Sequence, residues 1–247
     1  MAATDSLKGK VALVTGGARR IGAEICRELA ARGACVAVHY LRSEAGAVEM
    51  NRTLGNGVFS VRGDLSTRQG CEWVFREAAE WAGRVDVLVN NAAAFGRDGD
   101  VDAARMRAVN LEAPLALAEM VARQDGGGCV VQMLDCRIAR GWDAGDFSAY
   151  AETKRALADS VARTAREWAP GTRVNGVAPG PALAPEGVRE AAGALPLGKR
   201  PTALEIARAV AFFAECESAT GQILFVDGGQ HLAERCWAIG GVGAGKG

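Results

Sequence analysis

The sequence lacks net charge: 29 basic residues balance 29 acidic ones over 247 positions. Bulk electrostatics therefore gives no drive toward nucleic acid or an anionic membrane surface. No apolar run is long enough to span a bilayer, and the opening residues, MAATDSLKGK, lack the apolar centre of a secretory signal. The seven cysteines (Cys26, Cys35, Cys71, Cys129, Cys136, Cys216 and Cys236) include no C-x-x-C pair. Most sit in apolar stretches, where a reduced thiol behaves as a small hydrophobe. These absences point to a soluble protein of a reducing cytoplasm, with no nucleic-acid or membrane partner and no metal. There is no long polar or Pro-rich linker and no internal repeat. With 49% hydrophobic and 23% charged residues, the chain suits a single large domain.

Short β-rich apolar runs alternate with longer segments of helical spacing. The candidate strands are Val11–Val14, Cys35–His39, Val58–Val61, Val85–Val89, Cys129–Leu134, Arg173–Val177 and Gln222–Val226. Between them, Ile21–Ala31, Arg68–Ala82, Met106–Ala122, Tyr150–Trp168 and Ala203–Ala214 place apolar residues on one helical face. Strands apolar throughout and separated by helices describe an α/β fold, a doubly wound parallel sheet of the Rossmann type with helices on both faces. Such sheets bind ligands beyond the carboxyl ends of their strands. Residues 1–232 are read as one domain containing the site. Residues 233–247, ending in GGVGAGKG, are read as a flexible tail, because Gly247 stands where a phosphate loop needs Ser or Thr.

The first strand runs into Thr15–Gly22, T-G-G-A-R-R-I-G, and then a helix. A glycine-rich turn in that position lets the backbone approach a pyrophosphate and aims helix N–H groups at it. A lone glycine pattern is weak; its placement between first strand and first helix strengthens it. The second strand ends at His39 without the acid that holds an unphosphorylated ribose, and no acid follows until Glu44. Instead the chain offers His39, Arg42 and Ser43, with Arg19 in the turn. A carboxylate would repel a ribose 2′-phosphate, whereas guanidinium and hydroxyl groups hold one. The alternative is that Arg19 and Arg42 are solvated surface residues; their joint position beside the ribose site favours the phosphate, hence NADPH.

Tyr150 and Lys154 are four residues apart, on one helical face. A tyrosine with a pKa of about 10 is a poor acid at neutral pH, and a neighbouring ammonium lowers it.

Ordered along the chain are the glycine turn, Asp64-Leu65, Asn90-Asn-Ala-Ala, Asn110, the Y-A-E-T-K of Tyr150–Lys154, the R-V-N-G-V-A-P-G of Arg173–Gly180, and Val226-Asp-Gly-Gly. In this order the set resembles the short-chain dehydrogenase/reductase family from about Gly9 to Leu232. Within it the chain is most similar to the pteridine reductases and related bacterial dihydropterin or dihydrofolate-type reductases. Arg20 replaces the middle glycine of the usual turn, as in their T-G-x-x-x-R-x-G. The segment His39–Ser43 resembles their H-Y-x-R-S, and Asn90–Phe95 their N-N-A-S-S-F.

The resemblance implies further roles. Gly16, Arg19, Arg20, Ile21, His39, Arg42, Ser43, Asp64, Leu65, Asn91, Ala92, Lys154, Pro179 and Gly180 would hold the cofactor. Lys154 would bind the nicotinamide ribose while Tyr150 delivers a proton to the substrate. Asn110 would position a water leading to the lysine; the alternative is a helix residue bonded locally. The usual catalytic serine is missing, and Asp135 stands at its place, as an aspartate does in the pteridine reductases. Tyr150 lies 15 residues beyond Asp135, an interval longer than usual in those enzymes. The longer loop could turn the carboxylate away, or leave Asp135 to anchor the loop or pair with Arg137. Phe95 would stack a flat heterocycle against the nicotinamide, and Arg20 would hold substrate or pyrophosphate. The leading expectation is NADPH-dependent reduction of a C=N bond in a dihydropterin-like heterocycle. Reduction of a ketone, a ketoacyl group or a natural-product imine is the enzymatic alternative, and a non-catalytic NADPH-binding regulator the non-enzymatic one. The family's tetramers imply a homotetramer. Leu157 and Val161 on the Tyr150–Trp168 helix suggest one face on the sheet and another on a neighbouring subunit.

Overall fold

Seven apolar runs pair in parallel into one sheet, in the order β3-β2-β1-β4-β5-β6-β7. The structure, a computed structural model, describes residues 5–139, 145–182 and 195–232. Parts of the long loop before Tyr150 and of the Pro181–Arg200 region, together with the tail from Ala233, lie outside the described residues. The strands are β1 (Val11–Val14), β2 (Cys35–Tyr40), β3 (Val58–Arg62), β4 (Val87–Asn90), β5 (Gly128–Met133), β6 (Thr172–Pro179) and β7 (Ile223–Val226). The helices are α1 (Arg20–Ala31), α2 (Glu44–Leu54), α3 (Arg68–Ala82), α4 (Ala103–Arg107), α5 (Ala113–Arg123), α6 (Ser148–Glu167) and α7 (Ala203–Glu215).

Because side chains alternate across the pleat, each strand feeds two cores. Ala12, Val14, Val36, Val38, Val87 and Val89 pack with Ile25, Leu29, Met50, Val210 and Phe213 of α1, α2 and α7. Leu13, Ala37, Leu88 and Val130 point the other way, onto Val74, Ala78, Leu117 and Val121 of α3 and α5. Burial on both faces is why the strands are apolar without interruption.

Leu157 and Val161 of α6 are fully buried within the chain. They belong to the face of α6 turned to the molecule's own core. Helix α2 carries no helical period in its sequence: only Ala47 and Met50 of its eleven residues are buried. The helical segment from Met106 begins earlier, at Ala103, and contains a π turn over Ala108–Glu112.

The parallel register brings the carboxyl ends of β1, β4, β5 and β6 to a common edge. Val14 pairs with Val89, Asn90 with Gln132, and Met133 with Val177. Strand order reverses between β1 and β4, so the crevice expected of this fold opens there.

Candidate active site

At the reversal, two loops are zipped together by Thr15, which no motif singles out. Thr15 Oγ1 accepts the N–H groups of Asn91 (2.9 Å) and Ala92 (3.0 Å) and donates to the Val89 carbonyl. Asn91 Nδ2 donates back to the carbonyls of Thr15 (2.8 Å) and Gly16 (3.2 Å). Gly16 has φ +62°, and a Cβ there would lie 3.1 Å from Ala92 Cα. Glycine thus allows the turn to lie on the end of β4. A Cβ on Gly22 would lie 2.2 Å from the Gly16 carbonyl oxygen, so that glycine serves closure of the turn itself.

Arg20, which replaces the usual middle glycine, adopts φ +54°. The backbone keeps the left-handed conformation a glycine would supply, at a cost of about 1–2 kcal/mol for an L-residue. Arg19 at the N-cap of α1 supplies no side-chain cap, so no side chain of the turn covers the helix's N-terminal amides. An uncapped N-terminus flanked by exposed Arg19 and Arg20 fits a pyrophosphate. Arg42 is exposed and Ser43 half-buried at the end of β2, open to a ribose phosphate.

His39 requires a correction. Its ring is buried, Nδ1 accepts the Gly16 N–H (3.1 Å), and Nε2 lies 3.1 Å from the Gly63 carbonyl. With Nδ1 accepting, Nε2 carries the proton and donates, so the ring is neutral and both nitrogens are used. Burial holds its pKa below the ordinary histidine value. His39 fixes the glycine turn to β2 and does not reach for a phosphate.

The remaining cofactor candidates divide. Leu65 is buried in the sheet's α3 face. Asp64 pairs with Arg105 at 3.3 Å and accepts the Ser66 N–H at 2.9 Å. Burial pushes its carboxyl up, but the Ser66 and Arg105 donors outweigh that, leaving it below its usual range. Pro179 closes β6, and the Gly180 N–H donates to Val226 (2.9 Å). A Cβ on Gly180 would lie 2.8 Å from Asp227 Cα, and buried Asp227 in turn receives the His231 N–H at 2.7 Å. Ile21 is half-buried, against the α1 core.

The reacting residues converge at the ends of β4 and β5. The Tyr150 hydroxyl donates to Asp135 Oδ2 at 3.1 Å. The longer loop has not turned the carboxylate away. Asp135 also accepts the Arg137 N–H at 2.9 Å, and the Arg137 guanidinium lies 3.7 Å from its Oδ2. Anchoring, pairing and contact with Tyr150 therefore coexist. Phe95, 55% exposed, meets Tyr150 edge-on at 4.9 Å. One of its faces stacks on Phe147 at 5.2 Å. The buried Arg137 guanidinium lies 5.2–5.7 Å from the centroids of Phe95, Phe147 and Tyr150, within cation–π range. Neither Phe147 nor this use of Arg137 had a signal in the sequence, since only tertiary packing brings them beside Phe95.

Lys154 Nζ donates to the Met133 carbonyl at 2.7 Å and lies 5.9 Å from the Tyr150 ring centroid. Burial lowers its pKa to about 8. Tyr150 moves opposite to the expectation. Burial and the Asp135 charge push its hydroxyl well above the ordinary value, and Arg137 offsets this only in part. In this arrangement Tyr150 is a firmly protonated donor. Asn110 sits in the π turn, a distortion frequent at functional sites. Its side chain accepts the Ala94 N–H and donates to the Ala94 carbonyl, both at 2.8 Å, and reaches Thr153 Oγ1 at 3.3 Å. These partners lie 16 and 43 residues away, so the local-bond alternative fails: Asn110 ties the loop after β4 to α6.

Among the described residues no helix is long and apolar enough to cross a membrane, and no group of three or more His, Cys, Asp or Glu could hold a metal. The six described cysteines are free thiols.

A family model described as Enoyl-(Acyl carrier protein) reductase matches residues 16–231. Glucose and ribitol dehydrogenase homolog 2 from Arabidopsis thaliana is 33% identical, over 92% of this chain and 87% of that protein. Among solved structures, FolM alternative dihydrofolate reductase 1 from Brucella canis, complexed with NADP, is 34% identical at TM-score 0.85, covering 97% of this chain and all of that one. Its Brucella suis counterpart, also with NADP, is 38% identical at TM-score 0.80, covering 91% and 96%. Motifs, strand order, site geometry and these matches agree: the chain is an NAD(P)-dependent oxidoreductase of the short-chain dehydrogenase/reductase family.

Proposed function

We propose that the chain reduces a C=N bond in a dihydropterin-like heterocycle, with Tyr150 as the proton donor. The observation that carries this is the bond from the Tyr150 hydroxyl to Asp135, in a site where an aspartate replaces the serine usual in the family. Bound NADPH supplies the hydride. An imine must gain a proton on nitrogen as well, and Tyr150 holds that proton at neutral pH. The hydroxyl proton that Asp135 accepts here would turn to the imine nitrogen when substrate binds, with the Lys154 ammonium near the charge left on the oxygen. Exposed Phe95 offers an aromatic face beside Tyr150, where a flat ring gains about 0.5–1.5 kcal/mol beyond its buried area. Arg19, Arg42 and Ser43 would take the 2′-phosphate, with the turn from Gly16 to Ile21 around the pyrophosphate and Lys154 at the nicotinamide ribose. The relatives named alternative dihydrofolate reductase support the pterin-type reading.

A second reading, reduction of a ketone, a ketoacyl group or a natural-product imine, is favoured by one observation: Phe147 already covers one face of Phe95. A carbonyl needs Tyr150 and Lys154 but not the aromatic shelf. A panel of dihydropterins, dihydrofolate, cyclic imines and ketones with NADPH, followed at the nicotinamide absorbance band, separates the two. Turnover of ketones alone would end the pterin reading and leave the reductase.

The proposal includes a cytoplasmic homotetramer, which rests on family resemblance. Light scattering showing a monomer at micromolar concentration would remove the assembly.

A further inference from the structure

Helix α6 carries the reacting pair, but its own N-cap residue, Phe147, offers no side-chain acceptor. The acceptor comes from Asp98, on the loop after β4. Asp98 Oδ2 accepts the Ser148 N–H at 3.0 Å and also the Ser148 hydroxyl, while Oδ1 accepts the Ala149 N–H at 3.1 Å. The Asp98 N–H donates to the Asp146 carbonyl at 2.7 Å, joining the two loops a second time. One carboxylate thus satisfies two of the orphan N–H groups of a 20-residue helix and sets negative charge at its positive end. The same donors, the Ser148 hydroxyl first, hold the Asp98 carboxyl below the usual range.

The loop bearing Asp98 is closed on itself. A Cβ on Gly96 would lie 2.4 Å from Val101 Cγ2, and Gly99 has φ +90°. The Asp100 N–H bonds the Arg97 carbonyl at 3.1 Å, and Asp98 bridges to Val101. This loop also begins with Phe95, three residues before Asp98, while the capped residues immediately precede Tyr150. Phe95 touches Phe147 on one side and the edge of Tyr150 on the other. Shelf and cap therefore arrive on one short segment.

We propose that Asp98 is a positioning residue for the reduction: by capping α6 from the Phe95 loop, it fixes the aromatic shelf relative to the Tyr150 hydroxyl. The inference rests on the reductase reading for the role of Tyr150. The glycine turn and the ribose-phosphate site follow β1 and β2, and Lys154 lies more than a turn beyond the capped residues of α6, so cofactor affinity changes little. A cap of ordinary strength corresponds to a factor of about 5–30 in the population of the closed arrangement.

The test compares Asp98→Ala and Asp98→Asn in the full chain. In Asp98→Ala, amide exchange across residues 145–152 accelerates, and kcat/KM for the acceptor falls by about 5–30-fold. The Kd for NADPH, read by fluorescence titration, stays within about two-fold. Asp98→Asn keeps an acceptor at the cap and restores most of both losses, as asparagine is a good N-cap. Unchanged exchange in Asp98→Ala overturns the cap; unchanged kcat/KM with faster exchange overturns the positioning role, as does an equal loss of NADPH affinity. Failure of the reductase reading is seen separately, as a parent that turns over no acceptor, and exchange then still decides whether Asp98 holds α6.

Discussion

Asp135→Asn separates what the Asp135 charge does for the fold from what it does for the reaction. The substitution is nearly isosteric, and the amide oxygen can still accept the Tyr150 hydroxyl now 3.1 Å from Oδ2. The charge opposite Arg137 is lost. The two side chains are only 19% and 10% exposed and lie 3.7 Å apart, so the buried guanidinium would lose this attraction. Breaking a fully buried pair costs roughly 3–5 kcal/mol. Residual exposure and the aromatic rings around Arg137 cut this to about 2–3 kcal/mol. For a chain of this length that is a fall in Tm of roughly 5–10 °C, measurable by calorimetry. Imine turnover should fall by about 10²–10⁴-fold if the carboxylate also relays a proton, which an amide cannot do. In an Arg137→Met background the same Asp135→Asn change should cost little further Tm, because no guanidinium is left to attract, while the turnover still falls. A single variant with parental Tm would refute the ion-pair argument. Parental imine turnover would refute a proton-relay role for the Asp135 carboxylate.

Tyr150→Phe keeps the ring against Phe95 but removes the proton, so turnover should drop by about 10²–10⁴-fold with NADPH affinity retained; near-normal kcat would exclude Tyr150 as donor. Lys154 binds fewer protons in the folded than the unfolded chain between about 8 and its ordinary value of 10.5. Stability of the ligand-free protein should therefore rise with pH through that window. Lys154→Met should raise stability at pH 7 by on the order of 2 kcal/mol while abolishing reduction; urea melts at pH 7 and pH 10 check both statements, and a destabilised variant would contradict the buried-charge cost. Replacing Arg19 and Arg42 by Ala should narrow the NADPH-over-NADH preference in kcat/KM by about 10–100-fold, the weight of one or two charge-assisted bonds. An unchanged ratio would move the phosphate elsewhere. His39 is the wrong residue for that experiment, since an acid there would break the Gly16 contact before testing selectivity.

Apolar runs and their spacing determined much of this protein. The seven strands, five of the helices and the edge at which the motifs emerge follow from residues that are local in sequence, because burial on both faces leaves a parallel strand no polar position. Tyr150 and Lys154 are likewise fixed by a four-residue helical step. The family resemblance, not local spacing, pointed to Asp135 beside Tyr150, although the loop between them has an unusual length. The three-dimensional structure decided what depends on distant partners. His39 looked like a phosphate ligand because it ends a strand at the ribose position, but whether both its nitrogens are engaged depends on Gly16 and Gly63. Tyr150 looked like a residue made acidic by Lys154, but burial and the Asp135 charge, not the nearest cation in sequence, set its direction. Phe147, Arg137 and Asp98 carry no motif at all. They act because loops 50 residues apart in sequence close on one helix end, and no spacing rule encodes that closure.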